Sequence, residues 1–202
     1  YGKELNFQQT HTPRNVSVAL LLQGGIGRYM YASAYNYTDV FVGPTYSMGY
    51  SDTITLPLLS TDMLDAFSVG SEYTRVEKTL RVADIIADSY SSLNICVRTD
   101  NAMNCSMCSK CMRTLLVLDI AGLLDRYSTS FDLNTYAKHK NWFIGRKMGS
   151  HDPLPSEIFQ FAKRCNYSFS FLSHLYAMLA IPVHLVKNRK YSKSILPVTQ
   201  HY

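Results

Sequence analysis

Four of the chain's five cysteines fall within sixteen residues, at Cys96, Cys105, Cys108 and Cys111. The spacing C-x8-C-x2-C-x2-C constrains the fold more than any other feature. Two-residue gaps let sulfur atoms converge from one tight turn, and the fourth sulfur arrives from the segment before it. Four thiolates about 2.3 Å from a tetrahedral zinc form a closed structural site with no position left for substrate. The box is therefore expected to hold the fold rather than do chemistry. Arg98, Lys110 and Arg113 stand beside it in sequence and would offset its negative charge. Two other arrangements use the same residues. An iron–sulfur cluster shares C-x2-C-x2-C, although the Cys-Pro that usually follows is missing here. A buried or disulfide-bonded cluster is the plainer alternative, and it suits oxidising compartments. Cys165 stands alone in a helical stretch and reads as an inert core thiol.

Composition excludes a disordered chain and narrows little else. Hydrophobic residues make up 47% of the 202 residues, enough to build a core in one domain, or one domain with an appendage. The formal charge is +5, and only Lys187, Arg189, Lys190 and Lys193 cluster. That run reads as a solvated terminus or as a contact for nucleic acid or an anionic surface. Cys165 to Val186 lacks Asp, Glu, Lys and Arg and has the length of a membrane span. Ser168, Ser170, Ser173, His174, Pro182 and His184 would be costly in hydrocarbon. Leu172, Leu175, Leu179 and Val183 recur at helical spacing, the stripe of a soluble helix packed on a core. No membrane span is expected. With no apolar secretory segment at its start, the chain is expected in the cytoplasm. It begins with Tyr1 rather than methionine, as a processed product or a fragment would.

Thr12-Pro13 predicts a helix start and Gly24-Gly25 its stop, with Val16, Val18, Ala19, Leu20 and Leu22 between them. Arg28 to Ala34 predicts a short aromatic strand, and residues 35–58 a polar loop. Thr74-x-x-Glu77 is a capping box opening a helix through Val76, Leu80, Val82, Ile85 and Ile86. Leu93 to Val97 predicts a strand running into the cysteines. A helix from about Lys110 carries Leu115, Leu116, Leu118, Ile120 and Leu123 on its apolar side. Two or three more helices are expected between 133 and 186, broken at Gly149, Pro153, Pro155 and Pro182.

The run Leu93-Asn-Ile-Cys96-Val-Arg98, then Asn104-Cys105-Ser-Met-Cys108-Ser-Lys110-Cys111-Met-Arg113-Thr114, resembles the zinc-binding C-terminal segment of 7-cyano-7-deazaguanine synthase and its relatives. These belong to the adenine-nucleotide α-hydrolase, or N-type ATP pyrophosphatase, superfamily. Arg75, Glu77 and Lys78 match an R-x-E-K helix upstream of the box, and Thr10-His11-Thr12-Pro13 and Tyr31-Ala-Ser33 are similar to further pieces. The resemblance covers roughly residues 10 to 131. It implies an α/β fold: residues 1–131 as the C-terminal part of a doubly wound parallel-sheet domain, and 132–202 as a helical appendage. It implies ATP with Mg2+, a small-molecule substrate activated by adenylation, and Ser33, Arg75, Lys78 and Arg113 near substrate or nucleotide. Nucleic acid is not an expected partner under this reading. The plain alternative for Arg75 and Lys78 is a pair of solvated helix charges.

That superfamily holds pyrophosphate in a Ser-Gly-Gly-x-Asp-Ser loop, and this chain has no such string. Gln23-Gly24-Gly25-Ile26-Gly27-Arg28 comes nearest but lacks both serines and the aspartate, and its flanks read helix-then-strand. About eighty residues separate Gly24 from Cys105, short for a five-stranded doubly wound sheet. The ATP-binding half is expected before Tyr1 or in a partner subunit, and the isolated chain is expected to be inactive. A catalytically silent zinc module that binds protein or nucleic acid is the rival reading.

Overall fold

The computed structural model describes residues 6–85, 93–96, 98, 103–150 and 152–179. The chain divides into two compact units, Tyr1–Ile85 and Ile86–Tyr202.

In the first unit, α1 spans Phe7–Leu21. Its cap, Asn6, lies six residues before the predicted Thr12 cap. Asn6 and Gln9 form a capping box: the Asn6 side chain accepts from the Gln9 backbone N–H at 3.1 Å, and the Gln9 side chain accepts from that of Asn6 at 3.3 Å. Pro13 is thereby carried inside the helix. The stop falls as expected, with the Gly25 N–H turning back onto the Leu22 carbonyl at 2.8 Å. β1, Arg28–Ala32, pairs in parallel with β2, Asp65–Val69, in the register Arg28↔Asp65 to Ala32↔Val69. β2 has no counterpart in the sequence expectations.

Parallel strands need a crossover, and the stretch expected to be loop supplies one. It holds single 3-10 turns at Tyr37–Asp39 and Met48–Tyr50 and then α2, Asp52–Leu58. Leu56 of α2, Leu64, Ala66 of β2, and Val16 and Ala19 of α1 are all buried, and they form the core of this unit. α3, Arg75–Ile85, opens on the predicted Thr74–Glu77 box. The Thr74 N–H donates to Glu77 Oε2 at 2.8 Å and the Glu77 N–H to Thr74 Oγ1 at 3.2 Å.

The second unit is helical. α4 spans Ser109–Ile120 and buries Cys111, Met112, Leu115, Leu116, Val117, Leu118 and Ile120. It ends where Gly122 adopts φ +71°. The Leu123 N–H then reaches the Leu118 carbonyl at 2.8 Å and the Gly122 N–H that of Asp119 at 3.1 Å, a Schellman close. α5, Leu133–Lys147, is capped by Asp132, and α6, Pro153–Arg164, by Asp152 with proline in its first turn. A further helix, α7, covers 171–179. Phe143 and Ile144 of α5 and Ile158 and Ala162 of α6 join α4 in the core. Asp119 pins α4 to α5, accepting from Lys140 Nζ at 2.6 Å and from the Tyr136 hydroxyl at 2.7 Å.

Several expectations need correction here. The architecture is mixed α/β and mostly helical. Among the described residues its sheet is the β1–β2 pair alone, so no doubly wound sheet is formed there. Residues 93–96 form no strand, and the side chain of Asn104 accepts from the Ile95 and Cys96 N–H groups there. Cys165 is exposed at the end of α6, not in a core. Leu172, Leu175 and Leu179 lie on the open side of α7, and the residue it buries is Ser173. At that contact α7 lies against Gly145 of α5, where even a Cβ would stand 2.7 Å from the Ser173 carbonyl. The basic run 187–193 and the rest of the apolar stretch, 180–186, lie outside the described residues. Among those described, no helix is long and apolar enough to cross a membrane.

Candidate metal centre

Asn104 organises the loop that gathers the cysteines. Its side-chain oxygen accepts from the N–H groups of Ile95 and Cys96, both at 3.0 Å. Its side-chain nitrogen donates to the carbonyls of Leu93 and Ser130. One buried amide thus fixes the Cys96 segment against the start of the Cys105–Cys111 turn. Ser106 then takes a left-handed φ of 55°, which bends the chain so that Cys105 and Cys108 face the same way. Its fully buried hydroxyl donates to the Asn104 carbonyl at 3.3 Å and accepts from the Asp132 N–H at 2.9 Å. Those two bonds hold a conformation that a non-glycine residue adopts only at a cost.

All four sulfurs lie within 4.8 Å of one another. Sγ of Cys111 is 3.8 Å from that of Cys105 and 3.4 Å from that of Cys108. A zinc tetrahedron with 2.3 Å bonds has sulfur–sulfur edges of about 3.8 Å. The spread fits one ion at the centre. It also rules on the disulfide alternative, since bonded sulfurs are about 2.05 Å apart and all five cysteines are free. Backbone N–H groups face the sulfurs: that of Arg98 donates to Cys96 Sγ and that of Cys108 to Cys105 Sγ, both at 3.3 Å. Cys108 is the N-cap of α4, so the helix's positive end also points at the cluster. Burial, then the neighbouring Cys108 thiol, pushes the Cys111 thiol far up. A divalent cation would supply the missing positive charge and let the thiolates form. The group can hold a metal ion.

Three of the other expected residues come together in the first unit. Ser33 follows β1, and Arg75 and Lys78 lie one turn apart on α3. The Lys78 ammonium donates to the Ser33 hydroxyl and, at 3.1 Å, to the Ser33 carbonyl. Arg75 donates to the Ala34 carbonyl at 3.2 Å and, at 3.5 Å, to that of Ser33. This cluster sits at the carboxyl ends of both parallel strands. Arg113 belongs to the other unit, on α4 just past Cys111, and no hydrogen bond or ion pair holds its side chain among the described residues. Gly24 and Gly25 form the turn from α1 into β1, not a strand-to-helix loop.

Sequence reasoning missed Asn104, although the residue sat in the quoted box, because side-chain mimicry of a ladder leaves no periodicity. It also missed a buried chain of polar groups in the first unit. Thr12 donates to Asp52 Oδ1 at 2.6 Å and meets His11 Nδ1 at 3.1 Å, and that nitrogen lies 2.9 Å from the Tyr31 hydroxyl. Comparisons of the chain with protein-family models, with curated proteins and with solved structures gave no match.

Proposed function

We propose that the chain is the zinc-bearing part of an ATP-dependent ligase or synthase, similar to 7-cyano-7-deazaguanine synthase, that activates its substrate by adenylation. The observation carrying this reading is the cluster Cys96, Cys105, Cys108 and Cys111, whose sulfurs suit one tetrahedral zinc and leave it no open coordination position. The metal then ties the Cys96 segment to α4 and takes no part in bond making. Ser33, Arg75 and Lys78 give secondary support, because ligands of α/β sheets bind at the carboxyl ends of parallel strands. There the two cations would balance an anionic substrate or nucleotide. ATP and Mg2+ would be held by a pyrophosphate loop in another part of the intact protein or in a partner subunit. A cytoplasmic setting suits four reduced thiolates.

A second reading, a silent zinc module that binds a protein or nucleic acid, is favoured by the Gly24–Gly25 turn, which offers no phosphate cradle. Pyrophosphate release separates the two. The 202-residue chain alone should be at background under either reading, since losing the phosphate site removes several kcal/mol of transition-state stabilisation, roughly 3 or more. The intact protein should release pyrophosphate with its substrate and lose that activity in Lys78→Ala. No pyrophosphate release by the intact protein favours the silent module, whereas unchanged activity in the variant would remove Lys78 from the substrate site. Metal analysis should return close to one zinc per chain and no visible charge-transfer band. Broad visible absorption would assign iron–sulfur instead.

A further inference from the structure

The second unit carries a half-open cavity of about 470 Å3 whose walls come from a loop and three helices. The metal loop supplies Met107, α4 supplies Met112, α5 supplies Lys138, His139 and Trp142, and α7 supplies Tyr176. Its volume falls within the roughly 300–1,000 Å3 of small-ligand sites. We propose that it binds a flat heteroaromatic ring carrying a phosphate or carboxylate.

The ring is called for by the lining. Trp142 lines this cavity and is 47% exposed, a large aromatic surface left uncovered. The Arg146 guanidinium lies 4.6 Å from its ring centre, which holds the indole in place. Tyr176 and the exposed Met107 thioether add surfaces that favour a π-system, with the buried Met112 behind them. The charge is called for by what accompanies them. Lys138 and His139 are the cationic or protonatable groups of the wall, and no carboxylate lines it. The carboxylate that acts on Lys138, Asp132, is engaged as the α5 cap, accepting from the Asn134 and Thr135 N–H groups. An aliphatic side chain would fill the cavity without using Lys138, and a bare anion would leave the aromatic surface wet.

The site is also built in advance. A Cβ on Gly145 would stand 2.5 Å from Tyr176 Cβ and 2.7 Å from the Ser173 carbonyl. Only glycine lets α7 come this close to α5. Asn141 locks the approach by accepting from Ser170 at 2.7 Å and Ser173 at 3.0 Å. This assignment rests on the lining alone and not on the adenylation reading, so turnover plays no part in its test.

Trp142 is the single tryptophan of the chain, so its emission reads occupancy directly. The metal-replete full chain is titrated with AMP, with orotate, and with adenosine and ribose 5-phosphate as the separate halves. AMP or orotate should quench the emission saturably, with a midpoint below about 1 mM. Saturation by AMP alone assigns a phosphate ligand, and by orotate alone a carboxylate. Each half-molecule should bind at least about tenfold more weakly, and Lys138→Ala should raise the midpoint about fivefold or more. Lys138 is exposed, so that variant should melt with the parent, and Lys138→Gln serves as the check if it does not. The proposal is overturned if neither anion saturates by about 5 mM, or if adenosine binds as well as AMP. A single-stranded oligoadenylate binding about tenfold tighter than AMP overturns it in favour of a nucleic-acid surface.

Discussion

Asn104 does for the metal loop what a neighbouring strand would otherwise do, pairing with the N–H groups of Ile95 and Cys96 and with the carbonyls of Leu93 and Ser130. Removing it strands several backbone groups at once, three on half-buried residues and one on the buried Ser130. Asn104→Ala should therefore cost about 2–4 kcal/mol in urea unfolding and weaken zinc retention against a chelator. Cys108→Ser removes one sulfur and leaves three thiolates around an incomplete site. Metal content should fall and the melting temperature with it, because binding at a closed four-thiolate site would add directly to folding free energy. A variant that loses its zinc yet melts with the parent would overturn the structural role. Asp52 poses a different residue-scale question. Burial raises its pKa, against the lowering effects of Thr12 and His11, and its Oδ2 has no hydrogen-bond partner. A carboxyl whose folded pKa is raised favours the folded state while protonated. That contribution is lost as pH rises from the ordinary carboxylate range through the folded value. Asp52→Asn should thus be more stable than the parent at pH 7, the gap closing towards pH 3, as denaturant melts at the two pH values would show.

At the scale of elements, the α4–α5 contact turns on Asp119, Lys140 and Tyr136. Burial and then the Asp119 charge push the Tyr136 hydroxyl up. Burial alone would lower the half-buried Lys140, but its hydrogen bonds to Asp119 and Tyr167 outweigh that and raise it. Both folded values therefore lie above the unfolded ones, 10.0 for the tyrosine and 10.5 for the lysine. The stability they supply is complete below about pH 10 and is lost as pH climbs beyond it. Tyr136→Phe should flatten this alkaline loss and cost about 1 kcal/mol at pH 7. Elements with local punctuation were legible in the sequence: the Thr74–Glu77 box, the Gly24–Gly25 stop and the α4 apolar side all stand where chemistry along the chain put them. Those that depend on partners distant in sequence were not. α2 and β2 exist because a parallel pair needs a crossover, and the Asn6 box prevails over Thr12-Pro13 because it satisfies two N–H groups reciprocally. The cysteine group was fully legible, since spacing alone brings three of its sulfurs together. The lining of the Trp142 cavity was not, because its walls come from a loop and three helices, and α5 and α7 are far from the loop in sequence.

Across the whole molecule the four cysteines that can hold a metal all fall in the second of the two units, whereas Ser33, Arg75, Lys78 and the parallel strands fall in the first. Removing the metal should therefore act unevenly. After chelation, hydrogen exchange should accelerate in residues 103–120 and at the start of α5, where the Asp132 N–H bonds to Ser106. The amides of β1 and β2 should keep their protection. Equal acceleration in both units would show that they fold as one.

The exposure of Cys165 turns the chain into its own assay. Metal-bound thiolates and the buried Cys111 are shielded from bulky electrophiles, whereas an exposed thiol at a helix end is open to them. A disulfide reagent added to the loaded protein should release one equivalent of chromophore quickly. Chelator with denaturant should bring the total to five, the number of cysteines in the sequence. The same open thiol accepts a maleimide dye or spin label without disturbing the cluster. It is also where two stored molecules would cross-link, so a Cys165→Ser chain is the sensible starting point for crystallisation.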